Sequence, residues 1–373
     1  MELYERLTSP TPKRILALDG GGARIMMALG FLEEIERILR ERHEQPDLRL
    51  CDYFDLIGGT SAGAFVAATL ATGLEIREVI DYSLDFAGKI FQDKNLWLTP
   101  WKRWGAEYDE STLAGILSDQ FGDLELGDPS IRSGLCIITK RADTRSTWPL
   151  MNHPDGTFYD MNKHLLLSKV VQASTAAPTY FVPVGVDVGT GEPAAFVDGG
   201  VSMANNPALQ MFMMATLSGY PFHWQTGAEQ LLLTSVGTGF WREHKPVDDI
   251  LDSNLYDWAK NVPMMLMDDA SMQNQLLLQW LSQSPTAWNI DLEVGDLSDE
   301  LLVPEPLMHY LRYNVRLNAD EFCDMDLPEI GARVSDFYEL DCAEHRHDML
   351  KIGRAAALRQ IRPDHFPKAF DLA

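Results

Sequence analysis

The pentapeptide GTSAG at residues 59–63 constrains the fold of this chain more than any other feature. It lies between a short apolar segment, 53–57, and a compact run of apolar helix formers, 64–70. This order predicts a strand followed directly by a helix, with Ser61 at the sharp turn between them. The two flanking glycines leave room for the backbone to bend. The pattern is typical of a nucleophile elbow; the alternative is a turn of small residues that only packs helix against strand.

A second predicted strand-to-helix turn contains three consecutive glycines. The apolar strand 14–18 runs into DGGGAR at 19–24, and apolar residues at helical spacing follow. Consecutive glycines leave backbone N–H groups unshielded, which suits an anion. Because the chain has neither GxGxxG nor GxxxxGK[ST], a nucleotide-phosphate loop is disfavoured. We interpret the loop as an oxyanion hole with Arg24 as a fixed positive charge or loop anchor, and a turn without a ligand is the alternative.

A carboxylate follows a third predicted strand. Asp198 comes directly after the short apolar stretch 194–197 and is followed by two glycines. An aspartate at the end of a strand would lie at the same sheet edge as Ser61, so Asp198 is a candidate base. A hydrolase of the serine, aspartate, histidine order would need a later histidine instead. The available histidines, none in a distinctive setting, are His223, His244, His309, His345, His347 and His365.

The three motifs, in this order, resemble the patatin-like phospholipase family over about residues 13–240. ASTAAP at 173–178 and Asn-Asn-Pro at 205–207 are also similar to segments of that family. The resemblance implies a Ser61 nucleophile with Asp198 as its dyad base. It also implies supporting residues, namely Gly20, Gly21, Gly22 and Arg24 at the oxyanion hole, Gly59 and Gly63 beside the serine, and Gly199 and Gly200 after the aspartate. One departure is Ile25, which stands where many members have a further glycine and bears on the shape of the acyl pocket.

We therefore expect an α/β fold, a three-layer sandwich with a central, largely parallel sheet and a mostly helical C-terminal extension. The expected activity is that of a lipid acyl hydrolase, of the phospholipase A or esterase type, which works through an acyl-enzyme. A histidine-assisted esterase of small esters, or a catalytically silent regulatory or binding module, are the alternatives. The four cysteines are scattered without a CxxC pair, so neither a metal cluster nor a disulfide framework is indicated, and we expect no cofactor.

The charge distribution predicts where the catalytic domain ends. Residues 246–373 carry 24 acidic and 10 basic side chains, a stronger excess than in the longer part before them. This shift predicts an N-terminal arm at 1–12, a catalytic domain at 13–245 and an acidic extension at 246–373 that serves as a cover or assembly surface. The strand 231–235 would then be the last of the sheet, while 307–316 fits either a helix or a strand.

The overall charge bears on partners. A net charge of −24 argues against a nucleic-acid polymer and against strong adsorption to anionic bilayers. A phospholipid or other acyl-lipid substrate would be drawn in by apolar contact, which leaves peripheral membrane contact open. Trp97, Trp101 and Trp104 mark either a lid, a membrane-facing loop or a local core cluster. Because the N-terminus has no apolar leader-like stretch, we expect a cytoplasmic protein. The oligomeric state is not indicated.

Overall fold

The computed structural model describes residues 3–91, 106–189, 191–241, 247–289 and 295–372. The three tryptophans of the predicted lid or core cluster, Trp97, Trp101 and Trp104, lie outside these residues. One mixed sheet runs through the described part of the chain. Its strands are β1 (Lys13–Leu18), β2 (Leu56–Thr60), β3 (Gly134–Arg141), β4 (Ser146–Met151), β5 (Val184–Val186), β6 (Ala194–Asp198), β7 (Leu231–Val236) and β8 (His309–Tyr313).

Helices surround the sheet. Those in the described residues are α1 (Leu3–Thr8), α2 (Ile25–Arg42), α3 (Leu50–Tyr53), α4 (Ala62–Ala71), α5 (Ile76–Ile90), α6 (Glu110–Phe121), α7 (Tyr159–Asn162), α8 (Leu167–Thr175), α9 (Ala208–Thr216), α10 (Val247–Leu251), α11 (Leu255–Trp280), α12 (Ala319–Asp324), α13 (Pro328–Gly331) and α14 (Arg346–Gln360). None of these helices has the length and apolar character needed to cross a membrane.

The sheet is largely parallel. Its strand order is β5-β6-β3-β2-β1-β7-β8, and β4 pairs with β3 off this path. The five strands from β3 to β8 in that order run parallel, whereas β4, β5 and β6 pair in the antiparallel sense. The carboxyl ends of β1, β2, β7 and β8 therefore meet at one edge, where ligands bind in open α/β sheets.

The alternating side chains of β1 show how the layers form. Leu16 and Leu18 point into an apolar cluster built with α2, α4 and α14, while Ile15 and Ala17 point into a second cluster built with α9 and α11. Successive strand residues face opposite sides, so an apolar strand is buried on both faces only if helices cover both. The predicted three-layer α/β fold is confirmed.

The strand before Ser61 lies later in the chain than the sequence indicates. Residues 50–53, whose last residue belongs to the predicted strand, form α3, and β2 begins at Leu56. The Asp52 carboxylate accepts the N–H of Arg49 at 3.0 Å, which caps a helical turn that apolar patterning alone does not reveal.

The C-terminal region is mostly helical but also contributes a strand to the sheet. β8 pairs in parallel with β7 from Leu232↔His309 to Val236↔Tyr313. Helix α14 packs against α2 so closely that a Cβ on Gly353 would lie 2.8 Å from Met27 Cα. The sheet therefore continues past residue 245, and β7 is not its last strand. Residues 246–373 join the α/β core at this edge rather than only covering it.

Candidate active site

Ser61 occupies the turn between β2 and α4 in a strained backbone conformation. Its φ of 55° and ψ of −127° are rare for a residue with a side chain. Glycine is required beside it, because a Cβ on Gly63 would lie 2.5 Å from the Leu18 carbonyl oxygen and 2.6 Å from that of Asp19. The close approach of α4 to the end of β1 thus explains the second glycine of the motif, and Ser61 remains partly exposed.

The backbone N–H of Ser61 is already engaged. It donates to Ser174 Oγ at 2.9 Å, and Ser174 Oγ in turn donates to the Ile138 carbonyl at 2.6 Å. Ser174 lies in the ASTAAP segment, which the sequence singled out without a role. It ties α8 and β3 to the serine turn and helps to hold the strained backbone. Donors for an oxyanion must therefore come from other residues.

Asp198 lies at the end of β6, beside the end of β2. It pairs with Thr139 of β3, and the preceding β3 residue, Ile138, pairs with Thr60. The Asp198 side chain is buried, and its Oδ1 accepts the Gly200 N–H at 2.7 Å. Burial raises the pKa of Asp198 to about 6, whereas the nearby Ser61 side chain and the Gly200 N–H lower it. The structure thus places Ser61 and Asp198 side by side at the ends of β2 and β6.

The first glycine of the loop 20–22 is fixed from both sides. Gly20 N–H donates to the Asn205 carbonyl at 3.0 Å, and Thr238 Oγ1 donates to the Gly20 carbonyl at 2.8 Å. A Cβ on Gly20 would lie 2.5 Å from Asn205 Oδ1 and 3.1 Å from Ser61 Cβ, so the loop lies directly against the serine. The sequence motifs assign no role to either Asn205 or Thr238.

Two donors of the loop are left free. In the part of the chain that the structure describes, the N–H groups of Gly21 and Gly22 meet no hydrogen-bond acceptor. Gly22 has a φ of 55°, in the region that favours glycine, and it packs against the Leu340 carbonyl. Adjacent unpaired N–H groups beside a serine hydroxyl are the geometry that an anionic tetrahedral intermediate needs.

The side chain of Arg24, predicted as part of the oxyanion hole, packs against an aromatic ring. Its N–H donates to the Gly21 carbonyl at 3.0 Å, and its guanidinium lies 4.9 Å from the centre of the Trp241 ring. The side chain is buried, with Nε and Nη1 unpartnered among the described residues, and burial lowers the pKa of Arg24. The cation–π contact holds the first turn after the loop in place.

A buried ion pair behind the loop went unnoticed in the sequence. Arg312 of β8 binds Asp19 in a bidentate manner, with Nη1–Oδ1 at 2.9 Å and Nη2–Oδ2 at 2.6 Å. Burial alone would lower the pKa of Arg312, but the facing Asp19 carboxylate raises it, so the guanidinium stays charged. A sequence signal does exist, since an arginine inside the apolar stretch 308–315 needs a buried partner.

The candidate histidines lie elsewhere. His309 begins β8, at the opposite sheet edge from Ser61, and its Nε2 is 3.0 Å from the His365 carbonyl oxygen. His365 Nδ1 is 2.9 Å from the Tyr313 hydroxyl. Apart from His244, which lies outside the described residues, no candidate histidine is hydrogen-bonded to Ser61 or Asp198. Within the described ranges, no cluster of three or more His, Cys, Asp or Glu side chains has a metal-binding arrangement.

Comparison with known proteins identifies the family. Residues 16–212 match the family described as patatin-like phospholipase, which is more than half of the chain. A cGAMP-activated phospholipase of Escherichia coli is 35% identical over 52% of this chain and 53% of its own length. One from Vibrio cholerae is 33% identical over 55% and 58%. Patatin-T5 of Solanum tuberosum is 26% identical over 60% of each chain. The chain thus spans about half the length of the first two relatives.

Among solved structures, VipD from Legionella pneumophila matches 92% of this chain and 67% of its own, at 13% identity and a TM-score of 0.34. A superposition of this quality carries no argument about the site.

Proposed function

The chain belongs to the patatin-like phospholipase family, and we propose that it hydrolyses fatty-acyl esters of lipids through an acyl-enzyme on Ser61. One observation carries the proposal. The serine at a strained strand-to-helix turn lies beside a buried carboxylate, Asp198, whose pKa burial raises to about 6. An aspartate with an ordinary pKa near ~4 is a weak base toward serine, whereas a pKa closer to the working pH makes proton transfer more favourable.

The proposed reaction has two halves. As Ser61 Oγ attacks the ester carbonyl, its proton passes to Asp198, and the carbonyl oxygen becomes an oxyanion. The intermediate collapses to the acyl-enzyme, and Asp198 returns the proton to the leaving alcohol. Water then attacks the acyl-enzyme while Asp198 accepts its proton. Collapse of the second intermediate releases the fatty acid, and the proton returns to Ser61.

The oxyanion is stabilised by the backbone. The unpaired N–H groups of Gly21 and Gly22 would donate to it, and the first turn of α4 adds the positive end of a helix dipole. Loss of one such donor in serine hydrolases costs roughly 10²–10³ in rate, and we expect a comparable loss if one of these two N–H groups is misplaced.

A labelling and kinetic experiment tests the proposal. A fluorophosphonate probe should label the wild-type protein and should not label Ser61→Ala. Phosphatidylcholine, lysophosphatidylcholine and p-nitrophenyl butyrate should be hydrolysed, with activity retained in EDTA because neither base nor electrophile is a metal. Two relatives are named cGAMP-activated phospholipases, so each assay is run with and without cGAMP. Absence of labelling and turnover under both conditions would falsify the proposal.

The histidine-assisted alternative is separated by matched variants. Asp198→Asn keeps the shape of the side chain but removes the base, and we expect kcat to fall by roughly 10³ with the fold intact. Alanine variants of the candidate histidines should stay far more active. Collapse of kcat in one histidine variant, with near-normal kcat in Asp198→Asn, would replace the dyad by a triad.

We also propose that a lipid surface docks beside this site. Four apolar side chains on α11, namely Trp258, Val262, Met265 and Leu266, are spaced along one helical face and are 41–62% exposed. Val201 and Met203, also exposed, follow Asp198 closely in the chain, and Asn274 of α11 donates to the Met203 carbonyl. Helix α11 thus contacts the segment that follows Asp198, and in this proposal the two exposed apolar groups form one surface from which the enzyme draws its lipid substrate.

Vesicle binding tests this surface. The double variant Met265→Asp/Leu266→Asp should bind phosphatidylcholine vesicles less than wild type and lose vesicle hydrolysis while retaining p-nitrophenyl butyrate hydrolysis. Leu358→Asp is the matched control, because Leu358 is 72% exposed on α14, which packs on the opposite face of the sheet. Equal vesicle binding by all three proteins would remove this surface from the proposal.

A further inference from the structure

We propose that Arg312 is a positioning residue that sets the oxyanion loop through Asp19; this inference rests on the proposed acyl-hydrolase function. Arg312 does not touch the reacting atoms. It acts on the residue that precedes the loop, from a strand almost 300 residues away in the chain.

The contact fixes the Asp19 carboxylate in orientation as well as in distance. Both terminal nitrogens of the Arg312 guanidinium, Nη1 and Nη2, bind it, and Nη1 also donates to Ser235 Oγ at 2.7 Å. Both side chains of the ion pair are nearly inaccessible, at 4% exposure for Arg312 and 7% for Asp19. A planar bidentate fork restricts the rotation of a carboxylate more than a single ammonium contact does.

Asp19 connects the ion pair to the backbone N–H groups of Gly21 and Gly22. It is the first residue after β1, its N–H donates to the Val236 carbonyl at 3.1 Å, and Gly20 follows it directly. Gly20 is held by Asn205 and Thr238, whereas the N–H groups of Gly21 and Gly22 meet no acceptor among the residues that the structure describes. The ion pair thus fixes the backbone on one side of a glycine stretch that has little stiffness of its own. An oxyanion donor displaced by about 1 Å loses much of its effect.

Energetics also favour a positioning role. A buried ion pair is weak as a source of stability, because the loss of hydration offsets most of the attraction between the charges. Packing two apolar side chains in this space would serve stability at least as well. What apolar side chains lack is a directional contact to the start of the loop.

A second buried ion pair, at the amino end of β1, provides a matched control. Arg14 binds Asp55 at the amino end of β1, with Nε–Oδ2 at 3.0 Å, and the Asp55 side chain is 2% exposed. This pair is also buried and also joins β1 to a neighbouring segment. It lies at the sheet edge opposite to Ser61, so its loss should affect stability without affecting the loop.

The full-length variants Arg312→Lys and Arg14→Lys are compared with wild type, using p-nitrophenyl butyrate and a trifluoromethyl ketone that forms a tetrahedral adduct with serine. Arg312→Lys keeps the charge but loses the fork. We expect kcat to fall by about 10- to 100-fold with KM nearly unchanged, and ketone affinity to fall in parallel with kcat/KM. Arg14→Lys should keep kcat and ketone affinity within about twofold of wild type, because its partner Asp55 does not adjoin the glycine loop and its loss leaves the loop's N–H groups where they are.

The double variant Asp19→Asn/Arg312→Gln guards against misfolding. It removes both charges but allows a neutral hydrogen bond, so its melting temperature should exceed that of Arg312→Lys while kcat stays low. A folded Arg312→Lys or double variant with wild-type kcat and ketone affinity would overturn the positioning role and leave the proposed function intact. An equal loss in Arg14→Lys would also overturn it. A wild-type protein that hydrolyses no ester would overturn both.

Discussion

Replacing Asp198 with asparagine should lower kcat by roughly 10³ and raise thermal stability at the same time. In the native protein, burial raises the pKa of this carboxyl from 3.8 to about 6. A carboxyl whose pKa is higher in the folded than in the unfolded state favours folding when protonated. That contribution is present below pH 3.8 and is lost as the pH rises through about 6.

The size of the effect follows from the pKa difference. A difference of about two units corresponds to ~3 kcal/mol of native-state cost at pH 8, which the neutral amide avoids. For a chain of this length, unfolding as one unit, ~3 kcal/mol shifts the melting temperature by about 4 °C. At pH 4 both forms of the native protein are neutral at this position, so the gain should fall below ~1 kcal/mol.

Differential scanning calorimetry at pH 4 and pH 8, beside esterase kinetics at pH 8, measures both effects. Asp123→Asn serves as the control, because it makes the same chemical change at an exposed position on a turn. The reasoning is refuted if Asp198→Asn melts at the wild-type temperature at pH 8, or if it melts higher by the same amount at both pH values.

Three further outcomes are expected. Because only ionised Asp198 accepts a proton, kcat/KM of the wild type should rise with pH through about 6 and level off above it; a flat profile from pH 5 to 8 would exclude Asp198 as the base. Gly63→Ala should lower both the melting temperature and the rate, since its Cβ would lie 2.5 and 2.6 Å from backbone oxygens. Gly115→Ala, where α6 has open space for a Cβ, should instead raise the melting temperature, as measured by circular dichroism. A chain truncated after residue 245 should neither fold cooperatively nor react with a fluorophosphonate, because it lacks β8 and the partner of Asp19; a folded, reactive product would show that this edge is dispensable.

The sequence predicts the local geometry of the site because its glycines stand where neighbouring atoms leave no room for a side chain. Gly63 is needed where α4 passes the end of β1, and Gly20 where the loop meets Ser61 and Asn205. These close approaches fall at fixed positions within each turn, so the glycines form a motif that is visible in the sequence. Apolar runs likewise predict β1 and β7, because a strand covered on both faces has no polar positions to obscure the pattern.

Contacts between distant segments leave a much weaker record. Nothing near Ser61 indicates that its N–H will meet Ser174, 113 residues further on. The predicted end of the catalytic domain rested on a change in charge density. Charge density reflects the side chains that face solvent. The five residues of β8 are buried, so a change in charge density cannot show that the sheet continues.

The ion pair between Asp19 and Arg312 separates what the family defines from what the rest of this chain adds. The family match ends at residue 212, and Asp19 lies within it, while Arg312 lies a hundred residues beyond it. A buried carboxylate without its partner would carry a large desolvation cost, so the matched region by itself leaves one charged group of the site uncompensated. In this chain the compensation comes from β8, which also closes the edge of the sheet beside β7. Completion of the sheet and, in our proposal, orientation of the glycine loop therefore depend on the same strand. A substitution that weakens the pairing of β8 with β7 should therefore lower kcat before it measurably lowers the stability of the fold.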